Sequence, residues 1–382
     1  MNQRGLFFAR MEGSAVDRQP FFPDISDWYK ARRTPPGEPQ KFNTGELIPD
    51  GIDFHKVCLD MPAEWQSWSY LDFYRNFNWG LPVHIYDWLI SKPQGYRLDY
   101  KEDADGREWV WDTPRGKLVK KQKMAADGSF VTVKHPVETP EDFNALEFAA
   151  THTEFAADFD RVNDVLSKIG GLGVADLVIC RSPFGKLVQE YAGFEQTVFW
   201  LADDPQMVRD YLAFQEEIDL KVIRLAAQTA ARLVIISDHA DEQLISPRWY
   251  SEYCMPFYRK ACDILHRNGK FVSTHLDGNI RGFFSLLKDT GFDLMDGCTP
   301  APMTNYRPEE LGKALGPKQC AFCGVPSTLF AQNTRDEEIL ESARTICRGL
   351  GDKVILNVGD VLPANGNIRQ VIQVGKWCGE EG

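Results

Sequence analysis

A histidine and an aspartate stand one residue apart directly after a short strand-like segment of the sequence. The segment reads GKFVST, and His275, Asp277 and Asn279 follow it, with Gly278 supplying freedom for a turn. Imidazole and carboxylate groups this close can bind one metal ion or exchange protons with a substrate. The pattern therefore predicts a metal or acid–base site at a strand end. A histidine that is hydrogen-bonded to a neighbouring strand end is the structural alternative.

Similar side chains follow five other apolar segments, which read LVIC, LVIIS, FDLM, CAF and VILNVG. The residues concerned are Arg181, Asp238, His239, Asp241, Glu242, Asp296, Cys298, Cys323 and Asp360. The C-terminal ends of the strands of a parallel barrel meet at one mouth, so we predict that these side chains form one site. One histidine with several carboxylates can hold a divalent metal that keeps an open coordination position.

Each of these candidates also has a purely structural interpretation. Asp360 is typical of a turn, and the segment SDHADEQLISPRWY is typical of a capped helix start. Cys298 and Cys323 are more typical of buried thiols than of metal ligands. Cys320 and Cys323 form a C-x-x-C pair along a strand, which directs them to opposite faces and argues against a zinc knuckle.

The elements that must position these residues alternate between helix and strand from about residue 140 to residue 382. Short apolar strands between amphipathic helices indicate a parallel sheet with right-handed crossovers. Six such units, with room for two more near the start, predict an α/β fold of the (β/α)8 TIM-barrel type. An open doubly wound sheet is the alternative, although no G-x-G-x-x-G motif supports a dinucleotide fold.

The first third of the chain differs in composition from the rest. Residues 1–95 form an aromatic-rich N-terminal segment, and residues 96–135 alternate around Asp-Gly pairs, which predicts an inserted β-meander. We expect residues 1–382 to form a single domain, with residues 140–382 as its main strand–helix part. The aromatic side chains could line a pocket for a flat ring, or they could simply form a core or a subunit interface.

The composition restricts the classes of function. A net charge of −12 argues against nucleic acid or an anionic membrane as the main partner. No apolar run approaches the ~20 residues of a membrane span, and charges interrupt the start of the chain, as is unusual for a secretory signal. The nine cysteines lie mostly in apolar segments. We therefore expect free thiols and a cytoplasmic protein.

Several stretches of the sequence resemble the uroporphyrinogen decarboxylase superfamily, in the order expected along the chain. They read FFARMEGSAVDRQPFFPDIS, DTPRGKL, LISPRWYSEYCMPFYRKACDILHRNGKFVSTHLDGNI and VGDVLPANGNIRQV. The resemblance implies a single (β/α)8 barrel. It also implies one of two activities, which are porphyrinogen decarboxylation and corrinoid-dependent methyl transfer. The decarboxylases carry R-Q-A-G-R-Y near the N-terminus, whereas this chain reads PDISDWYKARR there.

The thiol-methylating members of the superfamily bind zinc through H-x-C and a later cysteine. His275 matches that histidine, while Asp277 and Asp360 stand where the cysteines would be. The resemblance thus implies zinc held by His275, Asp277 and Asp360, with Glu242 as a fourth ligand. Carboxylate ligands leave the metal a harder Lewis acid than thiolates do, which favours activating an ether oxygen over activating a thiol.

The first hypothesis is therefore a methyltransferase that moves a methyl group between a small substrate, such as a methoxylated aromatic, and the cobalt of a separate corrinoid protein. The chain lacks the D-x-H-x-x-G motif of a corrinoid module, so cobalamin would arrive on a partner docked at the mouth, and the chain itself could form a homodimer. The assigned catalytic residues are His275, Asp238 and Arg181. The assigned substrate-binding residues are Asp24, Trp79, Tyr86, Asn279 and Cys298.

Two other hypotheses remain open at the level of the sequence. One is a cofactor-free decarboxylase of an acidic substrate, in which Arg181 or Arg32 binds a carboxylate and Asp24 acts as the acid. The other is a non-catalytic ligand-binding barrel that has lost some of its metal ligands.

Overall fold

The computed structural model describes residues 1–33, 59–103, 105–125, 130–179 and 181–380. Two of the nine cysteines, Cys58 and Cys180, lie outside these residues.

A parallel sheet forms the centre of the protein. Its order is β1-β8-β9-β10-β11-β12-β13, and these seven strands are apolar and almost entirely buried. Their bounds are β1 Leu81–Ile85, β8 Gly173–Ile179, β9 Leu233–Ile236, β10 Phe271–His275, β11 Leu294–Cys298, β12 Cys320–Pro326 and β13 Val354–Gly359. Strands of this kind, buried on both faces, need helices around the sheet.

A short extended segment, residues 20–22, joins the two edge strands of this sheet. Phe21 forms a parallel bridge with Leu356 of β13, and its carbonyl accepts the backbone N–H of Gly80 immediately before β1. The segment therefore serves as an eighth strand that closes the sheet into a barrel. The predicted (β/α)8 fold is confirmed, and the open doubly wound alternative is wrong because the sheet has no free edge here.

Helices connect the strands and surround the barrel. Their bounds are α1 Gln3–Met11, α2 Ser26–Arg33, α3 Tyr70–Phe77, α4 Asp142–Thr151, α5 Phe159–Ile169, α6 Pro183–Lys186, α7 Phe194–Asp203, α8 Pro205–Ala227, α9 Pro247–Trp249, α10 Met255–Arg267, α11 Pro308–Ala314, α12 Ser327–Ala331, α13 Asp336–Leu350 and α14 Ile368–Glu380. The longest, α8, begins where Asp204 accepts the N–H of Met207 at 3.1 Å and proline occupies the first turn. None of the described helices is both long and apolar enough to cross a bilayer.

The predicted β-meander is present as a separate antiparallel sheet. It has the order β3-β4-β5-β6, with bounds β3 Arg97–Asp103, β4 Gly106–Thr113, β5 Gly116–Met124 and β6 Phe130–Lys134. A two-stranded ribbon of β2 Leu89–Pro93 and β7 Thr153–Ala157 flanks it. Leu118 of β5 is buried against α4 and α7, which attaches the meander to the outside of the barrel.

Most of the aromatic side chains of the N-terminal segment belong to the core. Trp28, Phe73 and Trp79 are no more than 1% exposed, and they pack edge-to-face against neighbouring rings. These side chains stabilise the first part of the barrel wall. Tyr86, by contrast, is 48% exposed.

Helix α1 closes the N-terminal end of the barrel. Phe7, Phe8 and Met11 pack in one apolar cluster against the first residues of several strands, including Val174, Leu233, Leu294 and Cys320. The cluster removes large aromatic surfaces from water at the end of the barrel opposite to the carboxyl ends of the strands. The sequence pattern did not predict this role for α1.

We predict that Phe7→Ala lowers the free energy of unfolding by about 3–5 kcal/mol, because it leaves a cavity in this cluster. Phe199→Ala is the matched control, since Phe199 is 54% exposed on α7 and should change stability by less than about 0.5 kcal/mol. Chemical denaturation of both variants measures the difference. Equal losses in the two variants would contradict the assignment of α1 as the closing element.

The described cysteines are all free, and all of them except Cys347 are buried. We therefore predict that thiol titration of the unfolded protein detects nine free thiols, and that the native protein reacts much more slowly. Mass spectrometry of the alkylated protein without reduction is the second measurement. A native bridge such as Cys320–Cys323 or Cys298–Cys323 would contradict this prediction.

Candidate active site at the barrel mouth

A polar cavity of about 410 Å³ opens at the C-terminal ends of the strands. Polar side chains from several strands, and from the segment after residue 22, line it. They are Asp24, Ser26, Asp27, His84, Tyr86, Ser237, His239, His275, Asp277, Asp296, Asn357 and Asp360. The cavity therefore brings together five of the residues assigned from sequence, which are Asp24, Tyr86, His275, Asp277 and Asp360.

Three side chains in this cavity could hold a metal ion. One ligand atom from each of His239, His275 and Asp277 lies within 4.8 Å of the other two. The two imidazole rings are 4.4 Å apart between centroids. Two nitrogens and one carboxylate oxygen suit zinc or a similar divalent ion, and three protein ligands leave a position open for substrate.

Asp296 holds the His275 ring in place. His275 ends β10 and pairs in register with Asp296 of β11, and Nδ1 of the histidine lies 3.1 Å from Oδ2 of the aspartate. Because Nδ1 is engaged there, Nε2 is left to face the cavity, where it lies 3.8 Å from Oδ1 of Asp360. A carboxylate behind a histidine is a common means of fixing a metal ligand.

Opposing effects determine the charge state of this pair. Burial lowers the pKa of His275, but the hydrogen bond and charge of Asp296 and the charges of Asp360 and Asp277 outweigh it and raise that pKa to about 9. Burial raises the pKa of Asp296, and the hydrogen bond and charge of His275 outweigh it, so that pKa falls below its usual value. The carboxylates thus favour a cation at this place, either imidazolium or metal.

Two of the cavity residues have strained backbone conformations. His239 and Asp360 have φ angles of 48° and 60°, in the left-handed region that non-glycine residues rarely adopt. His239 Nε2 lies 3.0 Å from Oγ of Ser237, and its Nδ1 lies 3.8 Å from Oδ2 of Asp277. Burial lowers the pKa of His239, and the nearby His239 imidazole lowers the pKa of Asp277. Strain of about 1–3 kcal/mol per residue is typical of functional sites.

A second histidine–aspartate pair reaches the same cavity through its histidine, His84. His84 of β1 pairs in register with Asp176 of β8, and its Nδ1 lies 2.9 Å and 3.0 Å from the two carboxylate oxygens. Burial lowers the pKa of His84, but the charge and hydrogen bond of Asp176 raise it to about 10. Burial also raises the pKa of Asp176, which is the partner in this pair. The carboxylate favours the imidazolium form of His84, in which Nε2–H is the remaining donor.

His84 and Asp176 are not among the residues that the sequence pattern singles out. Both lie inside apolar strands, LPVHI and GVADLVI, rather than after a strand end. The feature of the sequence that could have identified them is the charge of Asp176, because an aspartate inside a fully buried strand requires a partner.

The segment that follows residues 20–22 adds two more acids to the cavity, Asp24 and Asp27. Burial raises the pKa of Asp27 to about 7, and the charge of Asp24 adds to the effect. Burial likewise raises the pKa of Asp360. Asp24 caps the following turn, where its Oδ1 accepts the N–H of Ser26 at 2.7 Å.

Asp238, Arg181 and Glu242 lie beside the mouth but outside the cavity lining. Asp238 is fully buried, and it accepts hydrogen bonds from the Tyr258 hydroxyl and, at 2.6 Å, from the Ser182 N–H. Arg181 binds Glu190 at 3.0 Å. Glu242 accepts from the N–H of Gly282 and, at 2.6 Å, from Nδ2 of Asn305. These bonds engage the three side chains with partners outside the cavity lining.

The remaining assigned residues also lie outside the lining. Trp79 packs into the aromatic core with its ring 4.9 Å from that of Phe77. Cys298 is buried, and burial raises the pKa of its thiol. The backbone of Asn279 forms a hydrogen bond in the loop beside the cavity, since its N–H donates to Oδ2 of Asp241 at 2.9 Å.

Comparison with known proteins gives a family and a fold. The model of the Uroporphyrinogen decarboxylase (URO-D) family matches residues 121–378. No curated protein matches the chain in sequence. A methyltransferase from Methanosarcina mazei has a similar structure, with a TM-score of 0.64 and 13% identity, over 100% of this chain and 99% of that chain. A B12-independent methionine synthase from Shewanella sp. W3-18-1 aligns with a TM-score of 0.46 and 9% identity, over 95% of this chain and 97% of that chain.

At 13% identity, the likeness to the Methanosarcina mazei methyltransferase shows a shared fold and nothing finer. The family match is stronger evidence, because residues 121–378 make up more than half of the chain and include all seven described barrel strands except β1. The protein belongs to the uroporphyrinogen decarboxylase (URO-D) family.

Proposed function

We propose that the protein is a methyltransferase that moves a methyl group between a small methoxylated aromatic substrate and the cobalt of a separate corrinoid protein. The observation that carries the proposal is the cluster of His239, His275 and Asp277 at the mouth of the barrel. A protein of the same fold is described as a methyltransferase, and this supports methyl transfer as the function of the present barrel. We also propose a cytoplasmic location, which the free thiols support.

The donor set of the cluster fits zinc. His275 would contribute Nε2, since Nδ1 is bound to Asp296, and His239 would contribute Nδ1, since Nε2 faces Ser237. Asp277 would contribute a carboxylate oxygen, and Asp360 lies near enough to His275 to assist. His239 thus replaces Glu242 in the ligand set that we propose. When bound, zinc would supply a Lewis acid that withdraws charge from an ether oxygen.

His84 would donate a hydrogen bond to the same ether oxygen of the substrate. Asp176 keeps its imidazole protonated and oriented, so its Nε2–H is a donor at neutral pH. Loss of a methyl group leaves a phenolate, and a fixed donor aimed at that oxygen stabilises the charge as it forms. Tyr86, half exposed at the rim, would stack against the aromatic ring.

The lining of the cavity favours this proposal over decarboxylation. Among the described lining residues there is no arginine or lysine to bind a substrate carboxylate. Arg32 instead donates to the carbonyls of Trp28 at 2.9 Å and Ala364 at 2.7 Å. Arg181 is paired with Glu190. The wide mouth would receive the corrinoid partner that brings cobalamin.

We predict that protein purified without added metal contains one zinc per chain, and that His275→Ala and His239→Ala lose it. Asp296→Asn should keep the fold but weaken zinc binding about 10–100-fold, because it frees the His275 ring. Plasma mass spectrometry and competition with a chelator measure these effects.

Glu242→Gln is the matched control, because this side chain is bound to Gly282 and Asn305. It should retain zinc at the wild-type level. Zinc that survives His239→Ala but disappears in Glu242→Gln would contradict the ligand set proposed from the structure.

We predict that Asp277→Cys keeps or tightens zinc binding yet lowers ether demethylation about 10²-fold. Thiolate donates more charge than carboxylate and leaves the metal a weaker Lewis acid. Asp277→Ala should lose zinc and activity together. The measurement is single-turnover methyl transfer from a methoxylated aromatic to cob(I)alamin. Full zinc and full activity in Asp277→Ala would rule out Asp277 as a ligand.

A further inference from the structure

The cavity at the barrel mouth carries more negative charge than a zinc ion would offset. The aspartates in its lining are Asp24, Asp27, Asp277, Asp296 and Asp360. None of the described lining residues is a lysine or an arginine. Zinc bound as proposed would offset two of the negative charges, and a proton on His84 is already offset by Asp176, to which that imidazole is bound. A site of this kind attracts a cationic substrate and repels an anionic one.

Two of these carboxylates, Asp24 and Asp27, lie on one segment and are not among the proposed zinc ligands. The N–H of Leu362 donates to the backbone carbonyl of Asp24 at 2.8 Å, and the N–H of Trp28 donates to the carbonyl of Leu362 at 3.2 Å. These bonds fix the segment against the loop that follows β13. The two carboxylates are therefore held in place by backbone hydrogen bonds.

Asp27 is a buried carboxylate whose charge is poorly compensated. It is 3% exposed, and within the described parts of the chain no donor reaches its Oδ1. Burial raises its pKa to about 7, the charges of Asp24 and Asp360 add to the rise, and the charge of Lys30 opposes the rise without preventing it. A cation that enters the cavity would therefore stabilise the ionised form of Asp27.

The basic side chains around this part of the protein are buried or engaged outside the cavity lining. Lys30 is 3% exposed. Arg32 donates to two backbone carbonyls and lies 4.1 Å from the centroid of the Trp28 ring. Arg181 is bound to Glu190. Since none of these three cations lines the cavity, much of its negative charge is left for a ligand to offset.

Asp24 is the carboxylate that a ligand can contact. It is half-buried and lines the cavity, and Oδ1 accepts the N–H of Ser26 while Oδ2 accepts no hydrogen bond from the described residues. The charge of Asp24 contributes to the raised pKa of His84, so these two groups lie close enough to interact with opposite ends of one small molecule. Contact is thus made through Asp24, whereas Asp27 contributes through its charge alone.

We propose that the methyl-bearing substrate is a methoxylated aromatic compound that carries an alkylammonium group, and that this group binds to Asp24. The ether oxygen would then face His84 and the metal. The inference rests on the function proposed above and specifies its substrate class. The same carboxylates would repel a methoxylated aromatic acid.

Three ethers of matched shape test the proposal by single-turnover methyl transfer to cob(I)alamin at limiting substrate. 4-Methoxyphenethylamine is cationic at neutral pH, 4-propylanisole is neutral, and 3-(4-methoxyphenyl)propanoate is anionic. We expect the amine to react at least about tenfold faster than 4-propylanisole, because its ammonium group forms a charge-assisted hydrogen bond, and the acid to react most slowly. Equal rates for the amine and 4-propylanisole, or a faster acid, would overturn the inference and leave the proposed methyl transfer intact.

Asp24→Asn tests the carboxylate itself. The variant removes the charge but keeps a side-chain oxygen to accept the N–H of Ser26, and it should remove most of the preference for the amine over 4-propylanisole. Asp203→Asn is the matched control, because Asp203 is exposed at the end of α7 and should leave the preference at the wild-type value. A preference that is unchanged in Asp24→Asn would contradict the role of this carboxylate.

Titration calorimetry separates this inference from a failure of the proposed reaction. Methyl transfer from none of the three ethers would contradict the proposed function. Binding to the full-length protein then decides the charge preference. Saturable binding of 4-methoxyphenethylamine that Asp24→Asn weakens at least about tenfold would support the ammonium site. Binding no tighter than that of 3-(4-methoxyphenyl)propanoate would overturn it.

Discussion

The parallel register of neighbouring barrel strands is the constraint on which the site depends. It places His275 opposite Asp296 and His84 opposite Asp176, so that each imidazole meets a carboxylate from the adjacent strand. A shift of one residue would direct these side chains away from the barrel interior. The apolar residues that bury the strands on both faces therefore also fix the two polar pairs. The same backbone hydrogen bonds between strands determine both the packing of the core and the positions of these pairs.

Charge compensation is the second organising feature of the mouth. Four aspartates line the cavity besides Asp296, which is bound to His275, and that many carboxylates repel one another unless protons or a cation relieve them. The raised pKa of Asp27 and the raised pKa of His84 show two ways in which protons do so. The cluster of His239, His275 and Asp277 offers a third, because a divalent ion neutralises several carboxylates at once.

The alternation of helices and short apolar strands was sufficient to predict the barrel, because periodicity reports directly on burial, and the Asp-Gly pairs were sufficient to predict the meander. It also located the mouth, since His275 ends a strand and Asp277 and Asp360 follow strand ends. It could not identify His84 or Asp176, whose importance depends on which strands become neighbours after closure by residues 20–22. Nor could it separate Glu242 from His239, because a hydrogen bond to Asn305 and a left-handed backbone are properties of the folded loops alone.

The closure of the barrel by α1 has a kinetic consequence for a two-substrate reaction. Because Phe7, Phe8 and Met11 fill the N-terminal end, small molecules have no passage through that side of the described structure and must use the mouth. A protein partner that covers the mouth would then block the path of the small substrate. Under the proposed function the reactants must bind in a compulsory order, the small molecule first and the protein second, and the demethylated product can leave only after the partner has dissociated.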